Sequence, residues 1–300
     1  MNDTYPEIHL ATVTDKSFFQ GTLVMIHSFL MRNKWFQGKI LIIEDDLDDH
    51  MKAMLSLYPG IDFHTVSPDL HNRLQIFTKV LPHYSSKVRK FYMLDVFKLE
   101  GLDQLLFLDS DILCTGDLKT LFELRKKGLV AARDKSAHLG EMREEHTFLS
   151  FTKMQQKANK SYLDCFNSGM LLINYDKLDK NIFQDLLGMI SPMKYATVQT
   201  GHADQYLLNI YFKDKTHLVS ARWNFLLHCE EAILQSENIR PVDAELLHYV
   251  KSQKPWKKGI ETDTIQYKKW HKAHEIMLTW LQSHSTDLHN EYMERYPSEV

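Results

Sequence analysis

The sequence predicts an α/β fold: one mostly parallel, mixed sheet flanked by helices, with a short helical C-terminal tail. Three observations predict it. Short apolar runs alternate with longer amphipathic stretches through the first hundred residues. Runs such as "LLFL" (105–108) are apolar throughout, as expected of strands buried on both faces. Three hundred residues, 44% of them hydrophobic, suffice for one large domain plus a small C-terminal addition.

In order, "EIHLATVT" (7–14) reads as a strand and "FFQGTLVMIHSFLMRN" (18–33) as an apolar-rich helix. "KILIIED" (39–45) is a second strand, and "LDDHMKAMLSLY" (47–58) a helix capped by the acidic cluster before it. "IDFHTV" (61–66) is a third strand, followed by a helix over roughly 84–99 and the strand ending at Leu108. Later come strands at 128–134 and 165–175, helices at 178–190 and 204–213, and strands at 217–226 and 244–250. The tail places Tyr267, Trp270, Ala273, Met277, Trp280 and Leu281 on one helical stripe. The expected division is 1–260 for the main domain and 261–300 for a helical extension.

A net charge of -3 argues against nucleic acid as a partner. The N-terminus lacks a basic region followed by an apolar core, and no apolar run reaches the ~18 residues of a spanning helix. Cys114, Cys165 and Cys229 form neither a disulfide framework nor a zinc pattern. A cytoplasmic protein with reduced thiols is the expectation. Seven lysines between Lys251 and Lys272, beside the aromatic stripe, raise peripheral membrane contact as an alternative to inward packing of that stripe.

"FLDSDILCTGDL" sets Asp109 and Asp111 one residue apart at a strand end. In extended chain both would point to one side, and two like charges so close call for a cation between them. A hard divalent ion held by carboxylates keeps positions open for phosphate oxygens. Solvated loop aspartates, or the Asp-x-Asp of a Mg2+-dependent haloacid-dehalogenase-type phosphatase, are the competing readings. In "HYVKSQKPW" (248–256), His248 is either a third ligand or a core histidine, and Lys254 either meets a phosphate or is solvated. Asp204 in "ADQYLLN" opens a helix as an N-cap or, with Gln205, faces a sugar. Asn167, Ser168 and Gly169 in "DCFNSG" make a turn or a hydroxyl-binding strand start.

Together, "FLDSDILCTGDL", "DCFNSG", "ADQYLLN" and "HYVKSQKPW" resemble glycosyltransferase family 8 over roughly residues 7–258. The resemblance implies a GT-A fold, Mn2+ (with Mg2+ as a substitute), and retaining transfer of glucose or galactose from a UDP-sugar to a glycan, glycolipid or protein acceptor. It implies Asp109, Asp111 and His248 as metal ligands, and Lys254 and Ser110 on the donor diphosphate side. Thr12, Thr14, Asp15 and Phe18 fall near the base and ribose. Asn167, Ser168, Asp134 and Lys90 fall near the sugar, and Asp204 and Gln205 beside the reacting carbon. The chain departs from the family at three places. Lys251 stands at a glycine position, Met93 replaces a basic residue for which Arg89 and Lys90 could substitute, and a long connection containing Tyr162 follows Asp134. Met93 and Lys251 also suit a catalytically silent UDP-sugar-binding protein. A homodimer is left open.

Overall fold

The structure, a computed structural model, describes residues 7–124, 127–135, 165–198, 202–251, 254–257 and 264–297. The long connection with Tyr162, and Lys258 of the lysine-rich stretch, lie outside the described residues.

Seven strands form the main sheet: β1 (Ile8–Val13), β2 (Ile40–Glu44), β3 (Ile61–Thr65), β4 (Gln104–Leu108), β6 (Leu129–Arg133), β7 (Phe166–Asn174) and β8 (Thr216–Val219). Their order is β3-β2-β1-β4-β7-β6-β8. All pair in parallel except β7, which runs antiparallel to both β4 and β6. The fully apolar strands behave as read. Leu10, Ile40, Ile42, Leu106, Leu108 and Leu172 enter one core, while Ala11, Leu41, Ile43, Leu105, Phe107 and Leu171 enter the other. A second sheet joins β5 (Ile112–Cys114), β10 (Leu246–His248) and β9 (Phe225–Leu226), in the order β5-β10-β9. It carries His248 across to the end of β4.

Helices α1 (Phe19–Arg32) and α2 (Asp49–Ser56) agree with expectation, and Asp48 Oδ1 caps α2 by accepting from Met51 N at 3.0 Å. Helix α3 (Pro68–Val80) was not anticipated, although Leu70, Leu74 and Phe77 repeat at helical spacing behind a Ser-Pro start. The helix expected over 84–99 is a run of 3-10 turns, Pro82–Lys98. Its seven consecutive residues Phe91–Phe97 are all buried, so the segment is packed on every side and has no single apolar stripe. The helix expected over 178–190 is shorter, α4 (Ile182–Met189), and α5 (Pro192–Val198) restarts at a proline. Helix α6 is Asp204–Tyr211. The strand expected over 217–226 is broken by a 3-10 turn at Ala221–Trp223, where Ser220 Oγ accepts from Arg222 N at 3.2 Å. β8 and β9 therefore belong to different sheets, with Asn224 between them.

After α7 (Glu230–Glu237), the tail forms α8 (Ile265–His284) and α9 (Thr286–Arg295). Trp270, Met277 and Leu281 are fully buried in the α1-side core, and Tyr267, Ala273 and Trp280 pack against it. Trp280 stacks on Tyr58 with centroids 4.2 Å apart. The aromatic stripe is therefore turned inward. Among the described residues no helix is long and apolar enough to cross a membrane.

Candidate functional site

The sheet reverses its strand order between β1 and β4, which opens a crevice at their carboxyl ends. The Asp109–Asp111 segment lies there, but not as extended strand. β4 ends at Leu108, and the three residues turn into β5, with Ile112 N donating to Asp109 O at 3.2 Å. The carboxylates still converge because β10 pairs with β5 and aims His248 between them. His248 Nε2 is 3.0 Å from Asp111 Oδ1 and 3.6 Å from Asp109 Oδ2. The three residues offer ligand atoms all within 4.8 Å of one another.

These residues fit a divalent cation. Two carboxylates and an imidazole are a hard-to-borderline donor set. Gly169 leaves the room: a Cβ built there would lie 2.8 Å from Asp109 Oδ2 and 2.9 Å from His248 Nδ1. Burial and the Asp111 charge raise the pKa of Asp109. Burial opposes ionisation of Asp111 too, but His248 and Lys254 overcome it and hold its carboxyl well below the usual range. Lys254 is 6% exposed, donates from Nζ to Asp111 Oδ2 and to Tyr249 O (2.7 Å), and lies 5.6 Å from the Phe18 ring centroid.

Asp204 is the first residue of α6 and makes no N-cap; Ala203 occupies that position. Asp204 is buried, and burial raises its pKa against the opposing effects of Lys90 and a Ser168 hydrogen bond. The exposed Lys90 also acts on Asp109, so its charge reaches both acids. Asn167, Gln205 and Asp134 form a buried chain: Asn167 Nδ2 donates to Gln205 Oε1 (3.0 Å), and Gln205 Nε2 to Asp134 Oδ2 (2.6 Å). The metal candidates and the sugar candidates thus share one crevice.

The residues expected around the base divide. Thr12 Oγ1 lies 3.3 Å from Ser110 Oγ, and Ser110 Oγ donates to Val13 O, which ties β1 to the turn after β4. Thr14 is turned into the core and pairs with Thr22 at 2.6 Å. Asp15 Oδ1 accepts from Ser17 N (2.7 Å) and Phe18 N (3.0 Å), and its Oδ2 accepts from Arg89 (3.0 Å). Arg89 is committed to Asp15, Asp45 and Asp46, so of the two substitutes for Met93 it is Lys90 that faces the acids. Met93 itself is a core residue. Lys251 sits at φ 78°, the left-handed region that favours glycine. The reading of the sequence missed Asn224, which accepts from His248 Nδ1 at 2.9 Å. A lone Asn between Trp223 and Phe225 in an apolar run was the available signal. A cavity lined by Trp35, Phe36, Gln104 and Phe122 opens at the opposite ends of β1 and β4 and gathers no comparable group.

The family model for Glycosyl transferase family 8 matches residues 9–259. The chain belongs to glycosyltransferase family 8. A lipopolysaccharide 1,2-glucosyltransferase of Escherichia coli K12 is 24% identical over 284 residues, which cover 87% of this chain and 76% of that one. Glycosyltransferase GlyE of Streptococcus pneumoniae is 30% identical over 182 residues, 59% of this chain. The match spans only 38% of GlyE, and 39% of its companion GlyF. Among solved structures, the galactosyltransferase LgtC in complex with donor and acceptor sugar analogues superposes with a TM-score of 0.68 at 20% identity, covering 89% of this chain and 95% of that one. The fold is GT-A. The family match does not fit the phosphatase alternative.

Proposed function

We propose that the protein transfers glucose or galactose from a UDP-sugar, with retention of configuration, to a glycan, glycolipid or protein acceptor, using Mn2+ held by Asp109, Asp111 and His248. The observation that carries this is the convergence of those three ligands beside the buried Asn167–Gln205–Asp134 chain. The bound metal supplies Lewis-acid neutralisation of the charge that builds on the departing UDP. Lys254, which donates to Asp111 Oδ2, would serve as a point charge for the diphosphate. Thr12, Ser110, Asp15 and Phe18 shape the nucleotide side. Asn167, Ser168, Asp134 and Lys90 orient the sugar.

Gln205 accepts from Asn167 and donates to Asp134, and an amide is in any case a poor nucleophile. Asp204 is a buried acid beside Lys90. We favour front-side departure and attack, with Asp204 and Gln205 holding the reacting sugar in place. The silent-binder reading draws on Met93, but Lys90 supplies the positive charge that Met93 lacks. The catalytic unit proposed is 1–260, supported by the helices of 261–300. The cytoplasm is the proposed compartment, in keeping with Cys114, Cys165 and Cys229 as thiols outside any disulfide. Lys268 and Lys272 are exposed, Lys272 paired with Glu275 at 3.0 Å, and the apolar stripe beside them is turned inward.

The test is UDP release from UDP-glucose and UDP-galactose, with Mn2+ and without acceptor. Metal-dependent release from one of them supports the reading and names the donor. UDP-sugar binding without release favours the silent binder.

A further inference from the structure

His248 can serve a metal through Nε2 only if its other nitrogen is kept as a donor. Asn224 does this. Its Oδ1 accepts from His248 Nδ1 at 2.9 Å, while its Nδ2 donates to Asn167 Oδ1 at 2.9 Å. An amide has one accepting and one donating end, so Asn224 serves His248 only in this orientation. Reversed, it would set an NH2 against the imidazole and drive the ring toward the wrong tautomer.

What holds Asn224 the right way round is Asn167. Asn167 Oδ1 is fixed from two sides: the backbone N–H of Gly169 donates to it at 3.0 Å, and Asn167 Nδ2 is drawn the other way by Gln205 Oε1. Gln205 in turn points its NH2 at the Asp134 carboxylate, which accepts. Every donor along His248, Asn224, Asn167, Gln205 and Asp134 therefore points in the same direction. Asn167, Gln205, Asn224 and His248 are each at most 8% exposed, so water does not readily replace a lost partner.

We infer that Asn224 is the positioning residue of the metal site, and that Asn167, assigned above to the sugar side, sets its orientation; sugar-side amides and metal ligand form one polarised unit. The inference rests on the metal reading of Asp109, Asp111 and His248. Partners of this kind commonly change metal affinity 10- to 100-fold when removed.

The test is Mn2+ affinity of the full chain, followed by the electron paramagnetic resonance of free Mn2+, with thermal melting as the folding check. Asn224→Leu should weaken Mn2+ binding at least about 10-fold. Asn224→Asp should bind Mn2+ more tightly than Asn224→Leu, because a carboxylate oxygen still accepts from Nδ1 either way round, although it can no longer donate to Asn167 Oδ1. Asn167→Ala should weaken Mn2+ binding in the parent and have no further effect in the Asn224→Asp background. Should Asn224→Leu fail to fold, the Asn167→Ala comparison in the two backgrounds decides alone. Equal affinity for Asn224→Leu and Asn224→Asp overturns the inference. So does an equal loss from Asn167→Ala in both backgrounds. A parent that does not bind Mn2+ overturns the metal reading itself, and this inference with it.

Discussion

Gly169→Ala adds one methyl group at the point where β7 passes behind the proposed metal site. Ordinary contact begins at 3.4 Å, yet the new Cβ would lie 2.8 Å from Asp109 Oδ2 and 2.9 Å from His248 Nδ1, and nearer still to His248 Cε1. The backbone cannot retreat, because Asp109 N donates to Gly169 O at 2.8 Å and Gly169 N is held by Asn167. The imidazole and the carboxylate must each give by about half an ångström or more. Overpacking of this kind costs about 1–3 kcal/mol of stability. A displacement approaching 1 Å at a catalytic site costs on the order of 100-fold in rate. Mn2+ binding and UDP-sugar turnover should therefore fall by one to two orders of magnitude, while the protein still melts cooperatively. Gly188→Ala is the control, since its Cβ meets nothing within 4 Å and alanine suits its helix better. Parental metal affinity and turnover in Gly169→Ala would refute the geometry argued here.

Asp204→Asn should leave UDP binding nearly intact and lower transfer by about 100-fold, the scale of one transition-state contact; unchanged transfer, measured as product formed, would leave Asp204 a structural residue. Burial, with Lys34 and His284 nearby, lowers the pKa of His27 to about 4 against 6.5 in the unfolded chain. The unfolded state then binds the extra proton first, so the stability is complete above pH 6.5 and is lost as pH falls from 6.5 through about 4. The loss at pH 5 is at most about 2 kcal/mol, and melting curves of the parent should fall more steeply between pH 7 and 5 than those of His27→Leu. Lys251→Gly should raise the melting temperature, since a side chain in the left-handed region costs about 1 kcal/mol; a lower one would show that the lysine side chain contributes contacts of its own.

Much of the fold was legible because strands with two buried faces are written as unbroken apolar runs, and Leu105–Leu108 is the plainest of them. The segment Pro82–Lys98 was located, as a helix over 84–99, but its 3-10 turns were not legible, because the wholly buried stretch Phe91–Phe97 leaves no periodicity to read. Of the small sheet, β10 lies within the strand expected over 244–250 and β9 at the end of the one expected over 217–226, whereas β5, three residues long, was too short for a pattern. In the site, Asp109, Asp111 and His248 stood out through motif and spacing, although the route that brings the carboxylates together is a turn and not a strand. Ser110, Asn167, Gln205, Asp134 and Lys254 lie in the same crevice. Thr14 is engaged by Thr22, and a threonine at a strand end reads alike whether its hydroxyl meets a ligand or, as here, a neighbouring side chain. Asn224 offered only the faint signal of a lone amide in an apolar run. Its role depends on a break between two sheets that only the tertiary fold reveals.

The central claim is that Asp109, Asp111 and His248 hold a divalent cation that carries the UDP diphosphate. Titration calorimetry of UDP with and without Mn2+, on the parent and on Asp111→Asn, tests it most directly. The account requires Mn2+ to tighten UDP binding at least about 10-fold in the parent, about 1.4 kcal/mol, and not in the variant. An equal Mn2+ enhancement in both proteins would contradict it.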